Sequence, residues 1–257
     1  MSVDPRHPHP HPEPLRGALS GACAFADQAL PDPLPGEPFG VLAQWLAEAA
    51  ERNAQPNPNA MTLATVGPDG APSARVVLCR GMDQAAGTLT FYTNYHSRKG
   101  RQIESGGAVA LVFHWDHLDR QARIEGAAVR VSAQESDAYF AGRPVLSRVA
   151  AWASDQSQPL GRRGQLFERQ AAAEARFGVT GEPAGAQGEP LSQQQPRTDV
   201  PRPPHWGGYR VWARRVELWV GHTYRLHDRG LWERSLRPSS APGAFEATAW
   251  ATSRLQP

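Results

Sequence analysis

Apolar residues recur at helical spacing at Phe39, Leu42, Trp45, Leu46 and Ala49, which predicts an amphipathic helix ending near Asn53. Pro56 and Pro58 stop it. Beyond them the pattern shortens to strands. Met61 to Val66 reads as one, Gly67-Pro68-Asp69-Gly70 as a turn, and Ala74 to Cys79 as the returning strand. Thr88 to Thr93 follows, and then Val109 to Trp115 and Gln121 to Val131 flank the polar turn Asp116 to Asp119. Ser132 and Glu135 have capping-box spacing for a helix reaching Arg143, where Pro144 follows. A second helix is expected over Arg162 to Phe177. Three final strands are predicted at Gly208 to Trp219, Tyr224 to Glu233 and Ala247 to Arg254. Many antiparallel strands with few helices give a mainly β fold with flanking helices, a β-barrel with helices packed outside.

Two stretches break this pattern. Residues 1–36 are rich in Pro, Gly and His and are expected to stay mobile; His7, His9 and His11, alternating with prolines, read as a solvated tail, with capture of a stray metal as the alternative. Residues 179–204 are rich in Gly, Pro and Gln and read as a poorly ordered loop inside a domain spanning 37–257. Composition then narrows the function classes. With 27 Lys and Arg against 25 Asp and Glu, the chain lacks the basic excess of a general nucleic-acid binder. Small anionic ligands suit local basic clusters better. Cys23 and Cys79 have neither a disulfide nor a metal-ligand spacing, so no metal is expected and a reducing cytoplasm is the natural home. No apolar run is long enough to span a membrane, and no secretory signal is apparent.

The most informative chemistry lies in Phe91-Tyr92-Thr93-Asn94-Tyr95-His96-Ser97-Arg98-Lys99-Gly100. A strand runs into a turn, Ser97 is placed to cap a short helix over Arg98 to Glu104, and two cations stand at its start. Structural charge is usually the reverse, so the cations point to a bound phosphate; the alternative is a solvated turn. Arg225, His227 and Arg229 fall at i, i+2 and i+4 of a predicted strand and would share one face, around an anion or on a solvent-facing edge. Arg75 and Arg80, five apart, are expected on opposite faces unless a bulge intervenes. Tyr139 and Arg143 share a helix face, as ligand contacts or as a core aromatic beside a surface charge. There is no Walker loop, metal-ligand cluster or dinucleotide fingerprint, which is compatible with chemistry carried by a cofactor.

Five segments in order carry a resemblance: Arg75-Val76-Val77-Leu78-Cys79-Arg80, the stretch from Phe91 to Gly100, Trp152-Ala153-Ser154-Asp155-Gln156-Ser157, Trp206-Gly207-Gly208-Tyr209-Arg210-Val211 and Arg225-Leu226-His227-Asp228-Arg229. Over roughly Asp32 to Pro257 the chain resembles the pyridoxamine/pyridoxine 5′-phosphate oxidase family. The resemblance implies an FMN-binding split β-barrel and a homodimer with flavin at the subunit interface. It implies oxidation of pyridoxamine 5′-phosphate and pyridoxine 5′-phosphate by dioxygen to pyridoxal 5′-phosphate and hydrogen peroxide, with ammonia from the amine. By the same analogy the flavin is contacted by the run Arg75 to Arg80, by Tyr92, Thr93, Arg98, Lys99, Gln121, Gln156 and Ser157, and by Trp219 and Arg229. The substrate is contacted by Arg80, Tyr139, Arg143 and Ser147, and by Arg225 and His227, which position the reacting carbon.

The chain departs from the family in three places. Arg80 stands where lysine is usual, Leu218 and Val220 flank Trp219, and the N-terminal segment offers Arg16 but no tyrosine before Tyr92. Two rival functions remain: a phenazine-type oxidase on the same fold, and a flavin or pyridoxal phosphate binding module without catalysis. Neither nucleic acid nor membrane is an expected partner.

Overall fold

Residues 28–53, 55–179 and 199–257 are described by a computed structural model of the chain. The first helix, α1 (Phe39–Glu51), buries Phe39, Leu42, Trp45 and Ala49. It leads into β1 (Ala60–Val66), β2 (Pro72–Leu78), a short β3 (Gly81–Asp83) and β4 (Thr88–Asn94). Then come α2 (Arg98–Gly106), β5 (Ala108–Trp115), β6 (Arg120–Arg130), and three helices, α3 (Ala133–Ala141), α4 (Val145–Ala153) and α5 (Gly164–Phe177). The chain ends with β7 (Trp206–Val220), β8 (Asp228–Glu233), β9 (Leu236–Pro238), β10 (Phe245–Ala247) and β11 (Ala251–Arg254).

Nine strands form one antiparallel sheet along β11-β8-β7-β6-β5-β1-β2, with β4 joined to β7 and β3 to β4. The alternation that marks β1 and β6 in the sequence puts every second side chain inside, as for Met61, Leu63 and Thr65. The long strand β7 is the pivot. Its first half pairs with β4 and its second half with β8, while β6 runs along its other edge. A bulge at Glu125/Gly126 bends β6 here, and a Cβ at Gly126 would lie 2.0 Å from the Trp212 carbonyl, so only glycine is accommodated. The curl brings the end of β2 back to β4, where the Arg80 amide donates to the Thr90 carbonyl at 2.8 Å. The result is a split, barrel-like sheet with helices outside.

Phe91, Phe113, Trp115 and Tyr209 fill the interior, and α1 closes one end with Trp45 edge-on to Trp115 at 6.2 Å. A smaller apolar cluster, Val149, Ala153, Ala173, Val179 and Val200, joins α4 to α5.

The structure differs from the sequence reading in several places. The helix expected to reach Arg143 ends at Ala141, and Pro144, beyond it, stands at the N-cap of a further helix the sequence pattern does not announce, α4, where its missing N–H costs nothing. The strand expected at Tyr224 begins at Asp228. Thr223–Arg225 is a 3₁₀ turn with Tyr224 and Arg225 both left-handed, at φ 55° and 61°. Arg225, His227 and Arg229 therefore do not share a strand face. Ala247 to Arg254 splits into β10 and β11, which lie in different sheets. Of the expected mobile tail, residues 1–27 lie outside the described residues, but residues 28–36 pack on the barrel. Leu30 is buried and donates its amide to Asp228, and Pro35 accepts from the Trp232 indole. Of the expected loop 179–204, residues 180–198 are outside the described residues, while Val179 and Val200 are buried at its two ends.

Candidate active site

Where β2, β4 and the start of β7 meet α3 and α4, a cavity of about 640 Å³ opens to the surface. From β2 it is lined by Arg75, Val76, Val77 and Leu78, and Arg80 follows from the turn after that strand. Arg75 and Arg80 thus face the same cavity, against the expectation of opposite faces. The strand ends at Leu78, and the turn through Cys79 and Arg80 resets the alternation.

The end of β4 supplies Tyr92, Thr93 and Asn94. Ser97 caps α2, accepting from the Gly100 amide at 3.3 Å, and so places Lys99 at the cavity wall. Tyr139 comes from α3, but Arg143 lies past that helix and its C-cap Gly142, so the two reach the cavity without sharing a helix face as expected; Ser147 comes from α4, and Gln156 and Ser157 from the segment after it. Ser157 holds φ at 72°, a left-handed conformation that costs a non-glycine residue about 1 kcal/mol or more.

Charge sets the chemistry of this cavity. Arg75, Arg80, Lys99 and Arg143 line it, and among the described residues no Asp or Glu does. Arg75 is held by neutral oxygens: Thr65 Oγ1 and Ser73 Oγ at 2.5 Å, and the Leu63 carbonyl at 3.2 Å. Burial, then the nearby Arg98 charge, pushes its pKa down. Lys99 is 9 % exposed and donates to Gln156 Oε1 at 2.7 Å and Ser97 Oγ at 3.1 Å. Burial, then the Arg75 charge, brings its pKa down to about 8. Arg143 is half-buried, its Nη1 has no hydrogen-bond partner, and burial is the main cause of its lowered pKa, with the Arg80 charge adding. Arg80 and Arg143 also line a recess beside the cavity, with Tyr139 and Ser147. The four cations form two pairs, Arg75 with Lys99 and Arg80 with Arg143. Unbalanced charge in a partly desolvated cleft is unfavourable until an anion enters it.

Not every residue singled out in the sequence comes to this cavity. The Arg98 side chain is exposed beside it. Cys79 is buried toward α1, with Sγ donating to the Gly81 carbonyl at 3.4 Å, and faces an apolar recess with Leu46 and Met82. Gln121, Trp219, His227 and Arg229 gather elsewhere, across β6, β7 and β8. Gln121 is opposite Trp219, Trp219 is opposite Arg229, and the Trp219 and His227 rings are 4.6 Å apart. His227 Nδ1 accepts from the His222 amide at 3.2 Å, and Arg225 is exposed on the turn beside it. Arg229 is already engaged, donating to Glu217 at 2.7 and 2.9 Å and to the Gln256 carbonyl at 2.9 Å. The sequence reading gave no role to Asn94, Ser154 or Trp206, which also line the cavity. Which way Asn94 and Trp206 point depends on the β4–β7 register, where they stand opposite each other, while Ser154 is placed by the end of α4.

Among the described residues no cluster of His, Cys, Asp and Glu could hold a metal ion, and no helix is long and apolar enough to cross a membrane.

Comparison with known proteins bears on this geometry. Residues 47–176 match the family described as pyridoxamine 5′-phosphate oxidase, and residues 206–257 match the pyridoxine 5′-phosphate oxidase C-terminal dimerisation region. A pyridoxine/pyridoxamine 5′-phosphate oxidase of Burkholderia multivorans is 44 % identical over 95 % of this chain and 97 % of its own length. One from Rubrobacter xylanophilus is 45 % identical over 95 % of each. Among solved structures, PhzG from Burkholderia lata, in complex with tetrahydrophenazine-1-carboxylic acid, superposes with a TM-score of 0.72 at 31 % identity, over 90 % of this chain and 99 % of that one. A protein of Nostoc punctiforme described as pyridoxamine 5′-phosphate oxidase-related and FMN binding shares the fold, with a TM-score of 0.58 at 16 % identity over 86 % of this chain and 97 % of that one.

Proposed function

The chain belongs to the pyridoxamine 5′-phosphate oxidase family, and from that premise we propose that it is an FMN-dependent oxidoreductase making pyridoxal 5′-phosphate from pyridoxamine 5′-phosphate and pyridoxine 5′-phosphate. The observation that carries the reading is the cavity with two pairs of cations and, among the described residues, no carboxylate. A flavin with one terminal phosphate and a phosphorylated substrate together bring two anions, one for each pair. Bound FMN would supply the two-electron redox chemistry that oxidises the substrate carbon and delivers the electrons to dioxygen as hydrogen peroxide.

The protein's part is binding and orientation. Arg75 and Lys99 hold the flavin phosphate, with Arg98 adding long-range attraction from the surface. Thr93, Gln156 and Ser157 offer uncharged hydrogen-bonding groups to the rest of the flavin. Arg80, Arg143 and Ser147 hold the substrate phosphate, Arg143 with the N–H donors it does not use internally. Arg225 and His227 belong to a part of the chain that does not line this cavity. They reach the substrate across a homodimer interface, from one protomer into the cavity of its partner, and fix the reacting carbon near the flavin. Trp219, Gln121 and Arg229 approach the flavin from the same side. The match of residues 206–257 to a dimerisation region supports this arrangement.

Two measurements test the reading. Chromatography of the flavin released on denaturation should give FMN; FAD, or no flavin after incubation with FMN, would overturn it. Anaerobic mixing with pyridoxine 5′-phosphate should bleach the flavin absorbance. The kinship with PhzG supports a second reading, a phenazine-type carboxylate as substrate, for which one anionic group also suffices. Bleaching by a tetrahydrophenazine carboxylate and not by either phosphorylated vitamer would decide for it. Bound flavin that neither substrate bleaches would leave a binding module.

A further inference from the structure

Trp206 opens β7 opposite Asn94, is 8 % exposed, and forms part of the cavity wall. Three neighbours fix its ring. Tyr92 and Tyr139 are stacked on each other at 3.7 Å, and Trp206 lies within 13° of parallel to both, at 5.6 and 6.1 Å. Phe140 meets it edge-on at 5.0 Å. Its backbone is tied down as well: the amide donates to the Pro203 carbonyl at 3.0 Å, and the carbonyl accepts from Arg202 at 2.6 Å.

Over the face of this ring lies the Arg143 guanidinium, 4.6 Å from the centroid. Among the described residues Arg143 has no carboxylate partner, and its buried Nη1 has no acceptor. The Phe140 centroid lies farther off, at 5.5 Å. Contact with the aromatic faces holds the guanidinium and uses none of its N–H donors, which stay free for an acceptor in the cavity.

We propose that Trp206 is a positioning residue. Its indole face orients the Arg143 fork so that unpaired N–H groups are presented to the anionic group of the substrate. The inference rests on the oxidase reading above and names a working part of it. Losing the indole face releases Arg143 into other rotamers, so the loss falls on substrate binding and not on the electron-transfer step.

The test is a double-mutant cycle on the flavin-loaded protein, with Trp206→Leu, Arg143→Ala and both together. Two quantities are read: KM and kcat for pyridoxine 5′-phosphate, and the calorimetric Kd for pyridoxal 5′-phosphate, which does not depend on turnover. Trp206→Leu should raise KM and Kd roughly three- to thirtyfold, the range of a partly desolvated cation–π contact, and leave kcat and flavin content within about twofold. In the Arg143→Ala background the same change should add less than about twofold. Trp206→Phe, which keeps an aromatic face, should restore most of the affinity and covers the case in which the leucine variant folds poorly. Equal losses in both backgrounds, or a phenylalanine variant as weak as the leucine one, would overturn the proposal. If the wild-type protein binds pyridoxal 5′-phosphate but oxidises no vitamer, the oxidase reading fails while the Kd cycle still decides the role of Trp206.

Discussion

Lys99 shows how one residue sets a pH dependence. Its pKa is about 8 because burial, and next the Arg75 charge, disfavour the ammonium. The ordinary value, 10.5, applies to the unfolded chain. Between these values the unfolded state holds a proton that the folded state has released, so the flavin-free protein should gain stability as pH rises from about 8 toward 10.5. Anion binding runs the other way. A flavin phosphate needs the ammonium, so FMN affinity should fall above about pH 8, and binding there should take up a proton. Titration of FMN fluorescence from pH 7 to 9.5 checks this, with Lys99→Met as the variant in which the slope disappears. A flat wild-type profile would remove Lys99 from the phosphate site. At the other cation pair, Arg80→Ala should raise KM for the phosphorylated vitamer roughly tenfold, as expected for one charge-assisted hydrogen bond at a solvent-exposed position, and leave flavin content unchanged. Arg80→Lys keeps the charge and should be mild. An unchanged KM in the alanine variant would exclude Arg80 from the site.

The element that departs most from its sequence pattern is the turn between β7 and β8. Two consecutive left-handed residues, Tyr224 and Arg225, are unfavourable for side chains with a Cβ, so the turn holds a conformation the local sequence does not prefer. It also exposes Tyr224 at 93 % and Leu226 at 68 %. Large exposed apolar groups beside two expected substrate contacts fit the homodimer interface proposed above. On the proposed function, in which they position the reacting carbon, Arg225→Ala and His227→Ala should retain FMN but slow its reduction by substrate about a hundredfold. Arg229 behaves differently, since its guanidinium neutralises the buried Glu217. Arg229→Ala should weaken FMN binding, with partial rescue by excess FMN. It should also destabilise the fold by roughly 1.5–3 kcal/mol, with Arg123 left as the remaining partner of Glu217. Stopped-flow reduction, flavin titration and denaturant melts on the three variants separate these roles. Normal flavin binding and unchanged stability in Arg229→Ala would contradict both parts.

At the scale of the molecule, the expected site residues fall into two groups in one chain: the cationic cavity, and the cluster around Trp219 and His227. A homodimer that joins the two groups makes flavin retention depend on assembly. Sedimentation and flavin content followed together on dilution should fall in step, and Leu226→Glu at the exposed turn should shift both to higher protein concentration. A monomer that keeps its flavin would show that each chain holds a complete cofactor site.

The sequence by itself determined the strands with clean alternation, the helix ends marked by Ser97 and Ser132, and the list of cations. Each is a local matter of side-chain period and capping groups. The Ser132 cap forms, but Glu135 turns to Arg210 and does not complete the expected box. What only the tertiary structure decided is the direction in which side chains point after a strand ends. Arg75 and Arg80 meet in one cavity because the chain turns at Cys79, and Arg225 leaves the face of Arg229 because β8 starts late. Trp206 joins Arg143 only through the pairing of β4 with β7, which are separated by more than a hundred residues of chain. Periodicity describes residues within one element. Register between distant strands, and the turns that reset it, are fixed by packing over the whole sheet.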